Sequence, residues 1–188
     1  MGMSPIEVIG VVAGLGYVVF AIRESAWCWP SGIVSAAAYV WFFHEQRLAG
    51  QAALQAILGG VCAYGWWAWS RGAAESPLVV SKAKPLALLA LGAAIAAGTL
   101  GVGLLLQRSG ESVLPFWDGG LVAASLVAQW MAARKWLENW LVWVGVNVVS
   151  VGLFFSQHLM LTTALYLLYL VMAFVGYRAW TRSLGRPA

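Results

Sequence analysis

Residues 7–71 of this chain align without a gap to residues 118–182, at a constant spacing of 111. The identities include Arg23/Arg134, Trp29/Trp140, Phe43/Phe154, Leu48/Leu159, Gly65/Gly176, Trp69/Trp180 and Arg71/Arg182. In a chain rich in Ala, Leu and Val, chance matches fall on the common residues. Matched Trp, Gly and Arg at expected helix ends point instead to duplication. The fold must therefore accommodate two copies of one unit and whatever joins them. In membrane chains such repeats are the mark of transporters, with the site between the copies.

The solvent follows from composition. Hydrophobic residues make up 62% and charged residues 10%, with a mean hydropathy of +0.80, whereas a soluble domain carries about a quarter charged residues. Apolar stretches of about 20 residues recur along the chain, the length a helix needs to span a bilayer. The net charge of +4 then marks the cytoplasmic ends of helices rather than a nucleic-acid surface. Cys28 and Cys62 make no disulfide framework and have no metal-ligand spacing. The start, MGMSPIEVIG, lacks the basic region of a cleavable signal peptide.

Charged and Pro/Gly-rich breaks divide the chain into seven spans, at 5–22, 29–43, 48–70, 86–106, 117–133, 139–156 and 159–181. The second is short and is expected to cross upright or beside thinned lipid. The linker at 72–85 holds Glu75, Pro77, Lys82, Lys84 and Pro85. Positive charge sorts by side. Arg23, Arg71, Lys82, Lys84, Arg134, Lys135, Arg178, Arg182 and Arg186 fall on one side, and Arg47 and Arg108 on the other. This asymmetry puts the N-terminus outside and the C-terminus in the cytoplasm. A three-helix unit ends on the opposite face from its start, so two copies run parallel only if an extra helix joins them. The span at 86–106, with Thr99 as its one polar side chain, does that. The expected fold is all-α: one transmembrane domain over 1–188, with three-helix repeats at 5–71 and 115–182 and a linker plus connecting helix at 72–107. This is a 3+1+3 parallel arrangement.

Polar side chains at membrane depth are costly enough to need a reason. Trp140, Trp143, Asn147 and Ser150 share one face of span six. Asn147 either holds the bundle through an interhelical hydrogen bond, worth about 0.6–2 kcal/mol, or meets a ligand. Trp143, one turn away, favours the ligand, because an indole beside an amide can stack on and orient a flat ring. Span five carries Asp118, Ser125 and Gln129. Gln129 is a candidate to pair with a carboxamide, whereas Asp118 suits the helix N-terminus electrostatically. Ser31, Ser35 and Tyr39 form a weaker stripe on span two, and Gln51, Gln55, Cys62 and Trp66 lie near one face of span three. The repeat pairs Gln51 with Thr162 and Gln55 with Tyr166, so both copies are polar at matched depths. It pairs Asn147 and Gln129 with Ala36 and Val18, so the stronger polar groups belong to the second copy.

The candidate substrate-binding set is thus Trp143, Asn147, Gln129, Ser35, Tyr39, Gln55 and Tyr166, around a small cavity bounded by spans two, three, five, six and seven. Helix packing alone would also use these residues. Trp27, Trp29, Trp66, Trp67, Trp69, Trp117, Trp136 and Trp180 cluster at span ends and read as an interfacial aromatic belt. Gly10 and Gly14 make a helix-packing pair. His44 and His158 fall in outer loops without metal-ligating neighbours, so no metal or cofactor is expected. No nucleotide-binding, zinc-hydrolase or serine-hydrolase motif occurs, which argues against an enzyme.

The run PFWD at 115–118, ARKWLENWLVWVGVNVVSV at 133–151 and AYGWWAWSR at 63–71 resemble nicotinamide riboside transporters of the PnuC family. The likeness covers nearly the whole chain. The resemblance implies a SWEET-like fold, a homotrimer in the bacterial inner membrane, and facilitated diffusion of nicotinamide riboside, an NAD precursor. A cytoplasmic riboside kinase would phosphorylate the product and act as the sink. By the same resemblance, Trp143 and Asn147 fall on the family's W-x-x-x-N motif, which lines the substrate site, while Asn139 and Trp140 match its ENW portion. Ser35 stands where some members carry asparagine, which breaks an exact carry-over of contacts. Same-fold transporters take thiamine, riboflavin or deoxynucleosides, and a non-transporting scaffold subunit is the alternative from another class. The chain lacks an ATPase motif and a deep carboxylate pair, which implies a uniporter. A cavity without Arg or Lys would exclude phosphorylated substrates.

Overall fold

The computed structural model describes residues 4–47, 49–75, 78–110, 112 and 114–184 (backbone only at 49–50 and 72–75); Leu48, Pro77 and Arg186 lie outside it. Seven helices follow in order: α1 (Pro5–Ile22), α2 (Cys28–Glu45), α3 (Ala49–Glu75), α4 (Pro85–Ser109), α5 (Pro115–Ala133), α6 (Asn139–Ser156) and α7 (Met160–Ser183). Each corresponds to an expected span. The second is not short, since it runs for 18 residues.

Local chemistry explains the starts and stops. Ser4 caps α1 in a capping box, its hydroxyl accepting from the Glu7 N–H while the Glu7 carboxylate accepts from the Ser4 N–H. Proline occupies the first position of α1, α4 and α5, where its missing N–H costs nothing. Gly110, at φ +69°, ends α4 in the left-handed conformation. Among the described residues, four that are not glycine share that conformation: Glu24, Arg47, Lys135 and His158. They form two pairs at the spacing of 111. The α1–α2 and α5–α6 turns also carry the same hydrogen bonds, Glu24 N–H to Ala21 O (3.0 Å) and Lys135 N–H to Ala132 O (2.9 Å). The backbone is thus conserved between the two turns where the side chains are not.

Helices α1, α2 and α3 pack in sequence, as do α5, α6 and α7; α3 on α5 and α1 on α7 join the two groups. Small residues allow close approach. The Trp29 ring of α2 seats on Gly65 of α3, and the Trp140 ring of α6 on Gly176 of α7. Gly10 faces the Tyr39 ring and Gly14 the Ser35 hydroxyl, so this pair does pack α1 on α2. Among the described residues, helix α4 packs on α5 alone, with Gly119 against the Gly103 backbone and Gly98 against Ala123. Its other faces turn outward, with Leu86, Leu89 and Leu105 exposed.

Helices α1, α4, α6 and α7 are long and apolar enough to cross a membrane, and large apolar side chains such as Val12, Leu161 and Val171 cover the exterior. That surface suits hydrocarbon, where each helix satisfies its own backbone. Between α3 and α4, the linker straps the α5–α6 turn. Ser81 N–H donates to Lys135 O (3.1 Å), Leu137 N–H donates to Ser81 O (2.9 Å), and Ala83 N–H donates to the Glu138 carboxylate (3.0 Å). Val80 beside them is fully buried.

Candidate functional site

A cavity of about 260 Å³ lies between α1, α2, α3, α5, α6 and α7. Trp143, Asn147, Gln129, Ser35, Tyr39, Gln55 and Tyr166 all line it. Helix α1 supplies a further wall, through Gly14, Tyr17 and Ala21, that the sequence reading did not include. All but Gly14, Tyr17, Ser35 and Tyr39 of the lining residues fall in pairs separated by 111, such as Ala36/Asn147, Val18/Gln129 and Gln55/Tyr166.

The cavity is layered along the helix axes. Toward the end that carries the α1–α2 and α5–α6 turns, it is floored by Cys28, Trp29, Trp69, Asn139, Trp140 and Trp180, all buried. The middle holds Gln129, Trp143 and Asn147. Gln129 donates its amide N–H to the Cys62 sulfur at 3.2 Å, bridging α5 to α3. Asn147 is 4% exposed and has no protein hydrogen-bond partner among the described residues, so its amide is open to a cavity ligand. An amide at this depth takes its hydrogen bonds from whatever fills the cavity, water or a ligand. At the other end stand Ser35, Tyr39, Gln55, Tyr166 and Tyr169, all half-buried. Ser35 donates its hydroxyl proton to Gly10 O at 2.8 Å, leaving its oxygen lone pairs to serve a ligand.

No charged residue is among the described residues that line the cavity. Its chemistry is aromatic and amide, suited to a flat ring with neutral hydrogen-bonding groups. Two indole N–H groups, of Trp29 and Trp140, are buried without a partner, at matched positions of the floor.

Several expectations need correction. Trp29, Trp69 and Trp180 are not belt residues: they are buried in the floor, whereas Trp27, Trp66, Trp67 and Trp117 are exposed as a belt requires. Gln51 and Trp66 lie on exposed surface away from the cavity, because the inward face of α3 follows Gln55, Leu58, Cys62 and Trp69. Ser31 donates to Ala13 O at 2.7 Å, a bond between α2 and α1. Asp118 stays with its expected place in the first turn of α5, where it accepts from the Ser112 hydroxyl. Tyr17 and Tyr169 escaped the sequence reading although a signal existed. Tyr17 continues the Gly10, Gly14 face of α1, and Tyr169 follows Tyr166 by three residues, one turn of α7.

Residues 4–182 match the family model described as nicotinamide mononucleotide transporter. The nicotinamide riboside transporter PnuC of Escherichia coli (strain K12) is 28% identical over 96% of this chain and 87% of its own length. The riboflavin/roseoflavin transporter RibM of Streptomyces davaonensis is 31% identical over 96% of this chain and 88% of its own. A crystal structure of the vitamin B3 transporter PnuC shares the fold, with a TM-score of 0.76 and 23% identity over 97% of this chain and 83% of that one. Transport, not catalysis, is what the matched family does, and a match along almost the entire sequence decides membership: this chain belongs to the PnuC family of vitamin and nucleoside transporters.

Proposed function

We propose that the protein is a uniporter for nicotinamide riboside, with Trp143 and Asn147 as the ring-binding pair. The observation that carries this reading is the cavity-facing amide of Asn147 one turn from the Trp143 indole, in a cavity with no charged side chain among its described lining residues. The indole stacks on the pyridinium ring, a favourable arrangement for a cationic aromatic. Asn147 and Gln129 meet the carboxamide, and Ser35, Tyr39, Gln55 and Tyr166 offer hydroxyl and amide groups to the ribose. A phosphorylated substrate would find no cation among the lining residues, which disfavours the mononucleotide.

The same wall chemistry suits riboflavin, and the 31% identity to RibM favours that second reading. Cavity size weighs against it. At about 260 Å³ the cavity lies below the roughly 300–1,000 Å³ usual for ligand pockets, which favours the smaller riboside over a tricyclic flavin. A titration of purified protein with nicotinamide riboside, riboflavin and thiamine decides the substrate. The riboside should bind most tightly, and Trp143→Ala or Asn147→Ala should weaken it at least about tenfold, the scale of one lost buried interaction. Normal binding by both folded variants would exclude this site.

The matched turns and paired lining residues support a 3+1+3 architecture in which units 5–71 and 115–182 rock about the cavity. On this reading all seven helices cross a bacterial inner membrane, with the N-terminus outside, and the chain assembles as a homotrimer. Transport is passive, and net uptake is driven by a cytoplasmic riboside kinase. Proteoliposomes should therefore equilibrate labelled riboside without an ion gradient. Accumulation that depends on an imposed proton gradient would overturn the uniport mechanism.

A further inference from the structure

The cavity is sealed at one end. Its floor residues at the α1–α2 and α5–α6 turns are buried, while those at the far end are half-buried. A transporter must open its site to each face in turn, so the contacts that seal this floor must break in every cycle.

Those contacts are crossed between the two halves. Trp69 of α3 donates its indole N–H to Ala133 O at the end of α5 (3.1 Å). Trp180 of α7 donates to Ala21 O at the end of α1 (2.9 Å). Trp29, Trp69, Trp180 and Trp140 form a continuous row, with ring centroids 5.3, 6.2 and 5.5 Å apart. Beneath it Lys135 meets Glu24 at 3.6 Å, and these are the two left-handed residues of the matched turns. The Lys135 ammonium also lies 4.6 Å from the Trp69 ring, and Ser183 of α7 donates to Glu24.

The two turns are not equally held. The linker pins the α5–α6 turn through Ser81 and Ala83, and no linker hydrogen bond reaches the α1–α2 turn among the described residues. We propose that this tryptophan floor and the Glu24–Lys135 pair are the gate at the turn face, with the α5–α6 turn as the fixed jaw and the α1–α2 turn as the moving one. Burial lowers the proton affinity of Lys135 and Glu24 restores part of it. Opening returns both charges to water, which offsets the loss of their mutual attraction. The pair can therefore hold the gate without locking it.

The assignment rests on the cavity being the transport site, and it can be tested without any substrate. Cys28 and Cys62 are the only cysteines, and both are free, buried and part of the cavity wall. A membrane-impermeant maleimide, applied to oriented proteoliposomes from the turn face, should label the wild type slowly. Glu24→Gln and Trp180→Phe, the latter keeping a ring but losing the N–H, should each speed labelling from that face by about fivefold or more. Exchanging the charges, Glu24→Lys with Lys135→Glu, should return the rate toward wild type. Lys84→Gln, an exposed change on the same face, should leave it unaltered. Wild-type labelling rates in variants that elute and melt normally would overturn the gate, as would fast labelling of the wild type from the turn face. Spin labels at Arg23, Lys82 and Arg134 then test the jaws. The Lys82–Arg134 distance should stay fixed while Lys82–Arg23 broadens, and the reverse pattern would overturn their assignment. Loss of riboside binding with this gate intact would instead overturn the substrate reading alone.

Discussion

Trp140 is 4% exposed, with its ring seated where the side chain of Gly176 would be. A Cβ at Gly176 would fall 2.5 Å from the indole, so the ring would have to shift toward the cavity and give up its seat on α7. Gly176→Ala should therefore destabilise the protein by about 1–3 kcal/mol, as overpacking generally does. Gly60, with no atom within 4 Å of its Cβ position, is the control, and Gly60→Ala should leave the melting temperature unchanged or slightly raised. Thermal melting in detergent reads both, and equal melting temperatures would show that the indole seat is soft. The same residues mark a limit of the sequence. An indole suits both a lipid interface and a helix interface, so Trp29, Trp69 and Trp180 were indistinguishable from the exposed Trp27 and Trp67 by position alone. The repeated spacing, which pairs Trp29 with Trp140 and Trp69 with Trp180, was the discriminating signal. Asn147 and Gln129 were legible for the opposite reason: an amide inside an apolar run has no lipid-facing explanation.

Helix positions were legible because the breaks are chemical: Ser4-Pro5, Lys84-Pro85 and Gly110 are start and stop signals at the observed ends. The second helix was expected too short because His44 and Glu45 resemble a loop, whereas the helix continues until Arg47 turns left-handed. Helix faces were harder to read. In water an inward face stands out as an apolar stripe, but hydrocarbon is as apolar as the core, and the stripe disappears. That is why Gln51 and Trp66 were grouped with Gln55 and Cys62. On α4 the inward face is marked by glycine. Gly119→Val should force α4 from α5, because even a Cβ there would lie 2.7 Å from the Gly103 nitrogen. Leu89→Ala, on the 72% exposed side, should not. The expected outcome is a lower melting temperature and faster proteolysis of the linker for Gly119→Val alone. Equal behaviour of the two variants would mean that the small-residue seam does not hold the connecting helix.

At the scale of the molecule, the duplication carries more information than any single motif. It relates two turns with different side chains and the same left-handed backbone, and it pairs most of the cavity wall. The pairing is not equal in chemistry: Asn147 corresponds in the repeat to Ala36, and Gln129 to Val18. A near-symmetric scaffold thus holds an asymmetric set of cavity-lining polar groups, and the linker strap adds a second asymmetry on the turn face. The proposed parallel arrangement of the two units imposes one further requirement. Three helices return a unit to the opposite side, so two parallel units need an odd total, and the termini must lie on opposite faces. Helices α2, α3 and α5 are the exacting cases, since among the described residues only α1, α4, α6 and α7 are both long and apolar enough to cross. They can cross because their polar groups, such as Gln55 and Gln129, face the cavity rather than lipid. A reporter active only outside the cytoplasm should therefore work when fused at the N-terminus and fail at the C-terminus, and a cytoplasmic reporter should do the reverse. Fusions truncated after Gln46, between α2 and α3, and after Arg134, between α5 and α6, should report outside and inside respectively. Both termini on one face would mean that a helix fails to cross, and the parallel arrangement of the two units would fall with it.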